Sequence, residues 1–249
     1  DEYPDLDPGA YEARVHEHVA ALRPLVAAMT DDAARIACIN RYLFGELGYS
    51  GNHDAYDDPR NSYLNDVLDR RLGIPLSLAI VQMEVARRLD VRLEGVSFPG
   101  HFLVRMPMEG GIVVMDPFNG GRPLGADELK ARVAGHMAGE TPDDGQLMRL
   151  LEPASHRAIL VRMLRNLSGL YRKAEDWERT ARVSDRILCV DPEAYDALKD
   201  RGLAYLSLGH MAGARADLSR FMSLTAAEEV DPALRDLLVE VSGRRWPMH

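Results

Sequence analysis

The last third of the chain repeats itself with a period of 34 residues. Apolar or small side chains recur at that distance in six pairs: Leu164 and Leu198, Ser168 and Gly202, Tyr171 and Tyr205, Thr180 and Ala214, Ser184 and Leu218, and Ile187 and Phe221. A period of this length is one supersecondary unit, which buries its apolar face only by stacking on a neighbour. Residues 156–249 are therefore predicted to form a separate all-α region of stacked helices.

This period and its small residues are typical of tetratricopeptide repeats. Asp191-Pro192 closes the first unit as expected, whereas Ala226-Ala227 stands where the second unit would have its proline. Because repeat arrays need about three units or a cap, the two units are predicted to pack against residues 229–241, as a C-terminal capping helix, or against the first domain. An unrelated pair of helical hairpins is the alternative interpretation.

Composition restricts the possible partners. The chain has 249 residues, a formal net charge of −9 and two cysteines, Cys38 and Cys189. Nucleic acid and anionic membranes are not expected as partners, because binding phosphates requires clustered Lys and Arg. Two cysteines cannot form a disulfide framework or a cysteine-rich metal site, and they favour the reducing cytoplasm.

Targeting segments and cofactor motifs are not recognised. No apolar run approaches the roughly 20 residues of a membrane span, and no signal peptide opens the chain. The chain begins at Asp1 rather than methionine, consistent with removal of a segment ahead of it. No metal or cofactor is expected, because no phosphate-binding loop follows the glycine pairs and the remaining histidines share no ligand spacing: His16, His18, His53, His136, His156, His210 and His249.

The first 150 residues are predicted to form an α+β domain, with helices first and a sheet after. Apolar residues at helical spacing predict helices within 11–49, with an N-cap at Thr30-Asp31-Asp32. A turn-rich loop at 48–61 then leads to a helix near Ser62. Strand-like runs follow at 92–96, 101–106 and 112–115, with a hairpin turn at Gly110-Gly111. Residues 136–154 lack periodicity and are predicted to be a linker, with a domain boundary near residue 155.

Three polar residues stand at the ends of these elements. Pro75 is suited to the first turn of a helix, so Ser77 is predicted to lie at the start of a buried helix that runs to Asp90. His101 opens one predicted strand, and Asp116 closes another. Their order along the chain is nucleophile, histidine, aspartate.

Five motifs, taken in order, resemble the SirB family of transglutaminase-like proteins, which joins such a domain to C-terminal tetratricopeptide repeats. They are FGELGYSGN at 44–52, DPRNSYLN at 58–65, RRLGIP at 70–75, FPGHF at 98–102 and DPFNGG at 116–121. The resemblance covers most of residues 10–225. It implies a papain-like transglutaminase fold in which a cysteine at a helix N-terminus faces a His and an Asp, and it places Ser77 at the position of that cysteine.

Exchanging sulfur for oxygen changes the chemistry available. A helix N-terminus and a neighbouring imidazolium can lower a cysteine pKa from about 8.5 to about 3.5–7.5. A serine hydroxyl would instead need His101 to take its proton during attack, with Asp116 orienting the imidazole. The order Ser-His-Asp differs from those of the familiar serine triads, and no Gly-x-Ser-x-Gly surrounds Ser77. If the site geometry is intact, Ser77→Cys is expected to have a thiol pKa well below about 8.5.

Each candidate also has a structural interpretation. Ser77 alone suits a helix start, His101 can be a structural histidine, and Asp116 before Pro117 is a normal turn residue. Cys38 and Cys189 are predicted to be packing residues rather than substitute nucleophiles. Structural capping is the favoured role of the motif asparagines Asn61, Asn65 and Asn119, although each could donate to an oxyanion.

The residues leave two functions open. The first is a noncatalytic regulatory or adaptor protein, in which a degenerate transglutaminase-like cleft and the repeats bind a protein or peptide partner. The second is an amide hydrolase or acyltransferase with Ser77 as nucleophile, His101 as base and Asp116 as orienting group. Whether the chain is an enzyme depends on Ser77.

Overall fold

The computed structural model describes residues 2–136, 141–225 and 231–243. The chain divides into two compact units, Asp1–Ile159 and Leu160–His249. The first unit is an α+β domain and the second is all-α, which is the predicted fold class. Within the described ranges, no helix combines the length and apolar character needed to cross a membrane.

Two aspartate-capped helices open the first unit. In α1 (Pro8–Val26), Asp7 accepts from the Gly9 amide; in α2 (Asp32–Asn40), Asp31 accepts from the amides of Ala33 and Ala34. Asp31 is thus the N-cap within the predicted Thr30-Asp31-Asp32. A π-helical turn, Arg41–Glu46, continues α2. Most of the apolar residues at helical spacing are buried, but Leu25 is 49% exposed, contrary to its prediction as a core residue. The buried ones are Val15, Val19, Leu22, Val26, Ile36, Ile39 and Leu43.

The predicted loop at 48–61 contains short regular segments. Strand β1 (Ser50–Gly51) pairs in parallel with β2 (Leu72–Gly73), and a 3-10 turn covers Pro59–Asn61. Along the chain, helix α3 (Leu64–Arg70) lies between this turn and β2. Helix α4 (Pro75–Arg88) begins with proline in its first turn, as predicted, and most of its side chains are buried.

The sheet has four antiparallel strands in sequence order: β3 (Glu94–Val96), β4 (Leu103–Met108), β5 (Gly111–Asp116) and β6 (Arg122–Leu124). Only β6 was not predicted, because three residues are too few to show alternation. Gly110, with φ +83°, lies in the turn of the β4–β5 hairpin, whose register pairs Val104 with Met115. The hairpin therefore brings Asp116, at the end of β5, close to His101, just before β4.

The prediction of a linker at 136–154 is wrong for the second half of that range. Helix α5 (Ala126–Ala134) precedes it, and α6 (Asp144–Leu150) lies inside it. A capping box joins Asp143 and Gln146, and Leu147 and Leu151 pack into the core beside the sheet. Sequence periodicity missed α6 because seven residues span only two turns. Residues 137–140 lie outside the described residues.

The second unit is built from paired helices. Its helices are α7 (His156–Lys173), α8 (Trp177–Val190), α9 (Tyr195–Ser207) and α10 (Met211–Leu224). The small residues predicted from the 34-residue period lie at close contacts: a Cβ on Gly202 would be 2.8 Å from the Leu218 side chain.

Helix α11 (Pro232–Gly243) follows the second repeat. Leu234 and Leu237 pack into a cluster with Leu198, Leu218 and Phe221. This contact provides the apolar cover that two repeats need on their C-terminal side. Ala226-Ala227, where the proline of the second unit was expected, lies outside the described residues.

Candidate functional site

Two of the three predicted site residues form a direct contact. His101 Nε2 lies 2.8 Å from Asp116 Oδ1, and the Asp116 side chain is fully buried while that of His101 is 19% exposed. Because Asp116 accepts, Nε2 carries the hydrogen, and a reacting group would have to approach the other ring nitrogen, Nδ1. In serine triads the aspartate holds Nδ1 and the serine faces Nε2. The His101 ring therefore has the opposite orientation.

Asp116 is held as an anion by further donors. Its Oδ1 also accepts from the Phe118 amide at 3.2 Å, and its Oδ2 accepts from Asn119 Nδ2 at 2.8 Å and Arg132 Nη1 at 2.9 Å. Burial raises the pKa of Asp116, but the hydrogen bonds from His101, Asn119 and Arg132 outweigh it and hold the pKa well below 3.8. Arg132, on α5, is the charged partner that sequence reasoning missed.

The third predicted residue, Ser77, makes a separate set of hydrogen bonds. Its side chain is fully buried, and its hydroxyl donates to the Asn61 carbonyl at 2.6 Å, with the Ile74 carbonyl at 3.2 Å. The same oxygen accepts from the Ile74 amide at 3.1 Å. Ser77 thereby joins the start of α4 to the 3-10 turn that precedes α3. His101 is not among the described hydrogen-bond partners of the Ser77 hydroxyl.

Asn61 connects Ser77 to the loop at residues 52–56. Its side chain donates to the carbonyls of Ala55 at 2.7 Å and Tyr56 at 3.1 Å, and its Oδ1 accepts from Asn52 Nδ2 at 3.0 Å. Asn61 is fully buried. Together Asn52 and Asn61 fix the path of residues 52–56, the structural role favoured for Asn61 from its sequence.

Phe118 is the centre of an aromatic cluster consisting of His53, Tyr56, His101 and Phe118. Its ring centroid lies 4.5 Å from that of His53, 5.9 Å from Tyr56 and 6.0 Å from His101. Gly51 is required beneath it, since a Cβ there would be 2.4 Å from the Phe118 ring. His53 and Tyr56 were not among the predicted site residues. Their position between two matched motifs, FGELGYSGN and DPRNSYLN, is the signal that could have indicated them.

Asn119 and Cys38 have the capping and packing environments predicted for them, but Cys189 does not. Asn119 donates to Asp116, as a turn-capping residue would. Cys38 is buried on α2, whereas Cys189 is exposed rather than packed, contrary to the prediction for it. Within the described residues, no group of three His, Cys, Asp or Glu side chains is arranged to hold a metal ion. The last of the histidines, His249, lies outside the described residues.

Comparison with known proteins covers nearly the whole chain. Residues 9–165 match the transglutaminase-like superfamily, and residues 167–239 match a tetratricopeptide-repeat family. A UPF0162 protein of Xylella fastidiosa (strain 9a5c) is 55% identical over 249 residues, which is 100% of this chain and 89% of the relative. No solved structure matches the chain.

More distant relatives share the same region. Protein SirB1 of Salmonella typhimurium is 26% identical over 208 residues, covering 83% of this chain and 76% of SirB1. F-box only protein 21 of Mus musculus is 29% identical over 182 residues, covering 69% of this chain and 28% of that protein. Bacterial and animal proteins thus carry domains similar to this one.

Proposed function

We propose that this chain, which belongs to the SirB family of the transglutaminase-like superfamily, is a noncatalytic regulatory or adaptor protein. Its vestigial site and its repeats bind a protein or peptide partner. Tetratricopeptide repeats support this proposal because stacked repeats present extended concave surfaces to partners.

The observation that carries the proposal is the position of the Ser77 hydroxyl. A nucleophilic serine must direct a lone pair at the substrate carbon and pass its proton to a base. The Ser77 proton points at the Asn61 carbonyl, which is not a base, and no surface of its side chain is exposed to a substrate. Ser77 is therefore best explained as a residue that joins α4 to the preceding turn.

The separate hydrogen bonds of His101 and Ser77 support the same conclusion. Nε2 of His101 is held by Asp116, whereas the Ser77 hydroxyl donates to the Asn61 carbonyl. A serine replacing cysteine at such a site also lacks the thiolate that would make proton removal unnecessary. Asp116 and His101 then remain as a hydrogen-bonded pair without a nucleophile.

The alternative function, a Ser-His-Asp amide hydrolase or acyltransferase, is favoured by one observation. His101 and Asp116 retain a close, buried contact of the kind that orients a general base. For this activity the Ser77 side chain would have to leave Asn61 and Ile74 and turn towards Nδ1 of His101. That movement would break the hydrogen bonds of the Ser77 hydroxyl, while the Asn61 and Ile74 carbonyls would keep the bonds they accept from the Ile74 and Leu78 amides.

A fluorophosphonate probe distinguishes the two functions. We expect no labelling of the wild-type chain, because the Ser77 hydroxyl is buried and donates its hydrogen to the Asn61 carbonyl. Ser77→Ala serves as the control that identifies the labelled position. Labelling that is present in the wild-type chain and lost in Ser77→Ala would overturn the noncatalytic proposal and establish the alternative.

Ser77→Cys tests the geometry itself. In the structure, a thiol at this position faces the carbonyl oxygens of Asn61 and Ile74, which favour the protonated form, so we expect its pKa to lie above about 8.5. This reverses the expectation from sequence. The thiolate is titrated by its ultraviolet absorbance in a Cys189→Ser background, which removes the exposed thiol. A pKa below about 7 would mean that residue 77 faces an imidazolium, against the proposal.

A further inference from the structure

Hydrogen bonds from buried asparagines hold the loop at residues 53–57 in place, while the side chains of this loop are exposed to solvent. The buried Asn61 side chain binds the carbonyls of Ala55 and Tyr56 from below, and Asn52 Oδ1 accepts from the Ala55 amide at 3.1 Å. Above these contacts, Tyr56 is 49% exposed, and His53 is also exposed. A surface that is already ordered loses little conformational entropy when it binds a ligand.

The exposed rings form a platform supported from inside the domain. The rings of His53 and Tyr56 both pack edge-on against Phe118, which is 8% exposed. Phe118 in turn rests against Gly51, where no larger residue fits. The outer surfaces of His53 and Tyr56 are thus presented to solvent by a rigid support. An exposed tyrosine face of this kind attracts cations through its ring electrons.

The charged residues of the loop at residues 53–57 are acidic. Asp54 and Asp57 lie on either side of Tyr56 in this loop, and both are exposed. Arg60 and Arg70 are paired with Asp58, at 2.9 Å and 3.3 Å. Residues 1–159 contain 25 acidic and 16 basic side chains, whereas residues 160–249 contain 14 of each, so the net charge of −9 belongs to the first unit. This charge favours a basic ligand and disfavours an anionic one.

We propose that the loop at residues 53–57 binds an arginine side chain of the partner polypeptide. The guanidinium stacks on the platform of Tyr56 and His53, and Asp54 and Asp57 accept its hydrogen bonds. Arginine fits better than lysine because its group is planar, weakly hydrated and able to stack and donate at once. The proposal rests on the proposed function, since it names the chemistry that a partner brings to the vestigial site.

The probe for this proposal is a short blocked peptide with one arginine between glycines, and the matched controls carry lysine or glutamate instead. We expect the arginine peptide to shift the backbone amide resonances of residues 53–57 of the full chain. It should bind about fivefold more tightly than the lysine peptide, and the glutamate peptide should not bind. Tyr56→Ala and Asp54→Asn should each weaken arginine binding by about fivefold.

Tyr3→Ala is the control variant, because Tyr3 is 37% exposed but lies outside the aromatic cluster; it should leave binding unchanged. Equal binding of the arginine and lysine peptides, or unchanged binding by Tyr56→Ala, would overturn the proposal, and so would the lack of any shift at residues 53–57. Binding of neutral peptides beside His101 with no preference for arginine would overturn it while leaving the adaptor function intact. Fluorophosphonate labelling of Ser77 would overturn the adaptor function without affecting arginine binding.

Discussion

Replacing Asp116 with alanine is expected to lower the free energy of unfolding of the first unit by about 3–5 kcal/mol. The fully buried carboxylate is the shared acceptor for His101, Asn119, Arg132 and the Phe118 amide. Without it, the Arg132 guanidinium, 26% exposed, loses its buried partner, and three further donors lose their acceptor. Urea unfolding followed by circular dichroism measures the loss.

Glu128→Gln is the matched control for this prediction. Glu128 also binds Arg132, at 3.0 Å, but its side chain is 36% exposed, and solvent-exposed ion pairs of this kind contribute little to stability. A large difference between the two variants would show that the effect comes from the buried carboxylate. Equal, small effects would contradict the assignment of Asp116 as the acceptor that holds this end of the sheet.

The pH dependence of stability follows from the same contacts. The folded-state pKa of Asp116 lies below its unfolded value of about 3.9. Its contribution is therefore complete above about pH 5 and declines as the pH falls, because the unfolded state then binds a proton that the folded state does not. In Asp116→Asn this part of the acid dependence should be lost. An unchanged slope between wild type and variant would contradict the prediction.

The second large effect is expected in the repeats. Arg201 on α9 donates from Nε to Asp217 Oδ2 at 2.7 Å and from Nη2 to Asp217 Oδ1 at 2.9 Å, and its Nη1 lies 2.6 Å from Asp185 Oδ1. These bonds join α8, α9 and α10 through a single side chain, and Asp217 is only 7% exposed. The hydrogen bonds and charge of Asp217 raise the pKa of Arg201 above its usual value. Arg201→Ala is expected to destabilise the second unit by about 3 kcal/mol, because Asp217 is left buried without its cation.

Tryptophan fluorescence during urea unfolding reports this change, since both tryptophans of the chain lie in residues 160–249. Arg172→Ala is the control: Arg172 pairs with Asp200 at 2.7 Å but is 47% exposed, and it should cost at most about 1 kcal/mol. The double variant Arg201→Met with Asp217→Leu should recover most of the lost stability, because apolar side chains of similar size can replace a buried ion pair. Failure of this recovery would mean that Arg201 stabilises the repeats by other contacts.

Much of the fold could be predicted because it depends on local patterns. The 34-residue period, Pro75 at the start of α4 and the strand-like runs each reflect constraints that act over a few turns of chain. Helix α6 was missed because its apolar residues are explained by a contact between distant parts of the chain. Leu147 and Leu151 are recognisable as core residues only once the sheet they cover is in place.

The candidate site was predictable in part. Spacing and resemblance selected His101 and Asp116, and the β4–β5 register explains why these two meet, since antiparallel pairing determines which residues are neighbours. Arg132 could not be predicted, because it reaches Asp116 from a helix that was not recognised. Tyr56 and His53 lie in a segment whose composition indicates only a turn, and their aromatic neighbour Phe118 is distant in sequence.

The sequence by itself determined the order of the elements and the repeat architecture, because periodicity is a property of the chain alone. The resemblance to the SirB family implied that Ser77 stands where that family has a cysteine. Only the tertiary structure decided what the Ser77 oxygen does. A hydroxyl has one proton, and its direction depends on which acceptors the fold brings within reach. Here the Asn61 carbonyl, 16 residues away in the chain, receives it at 2.6 Å.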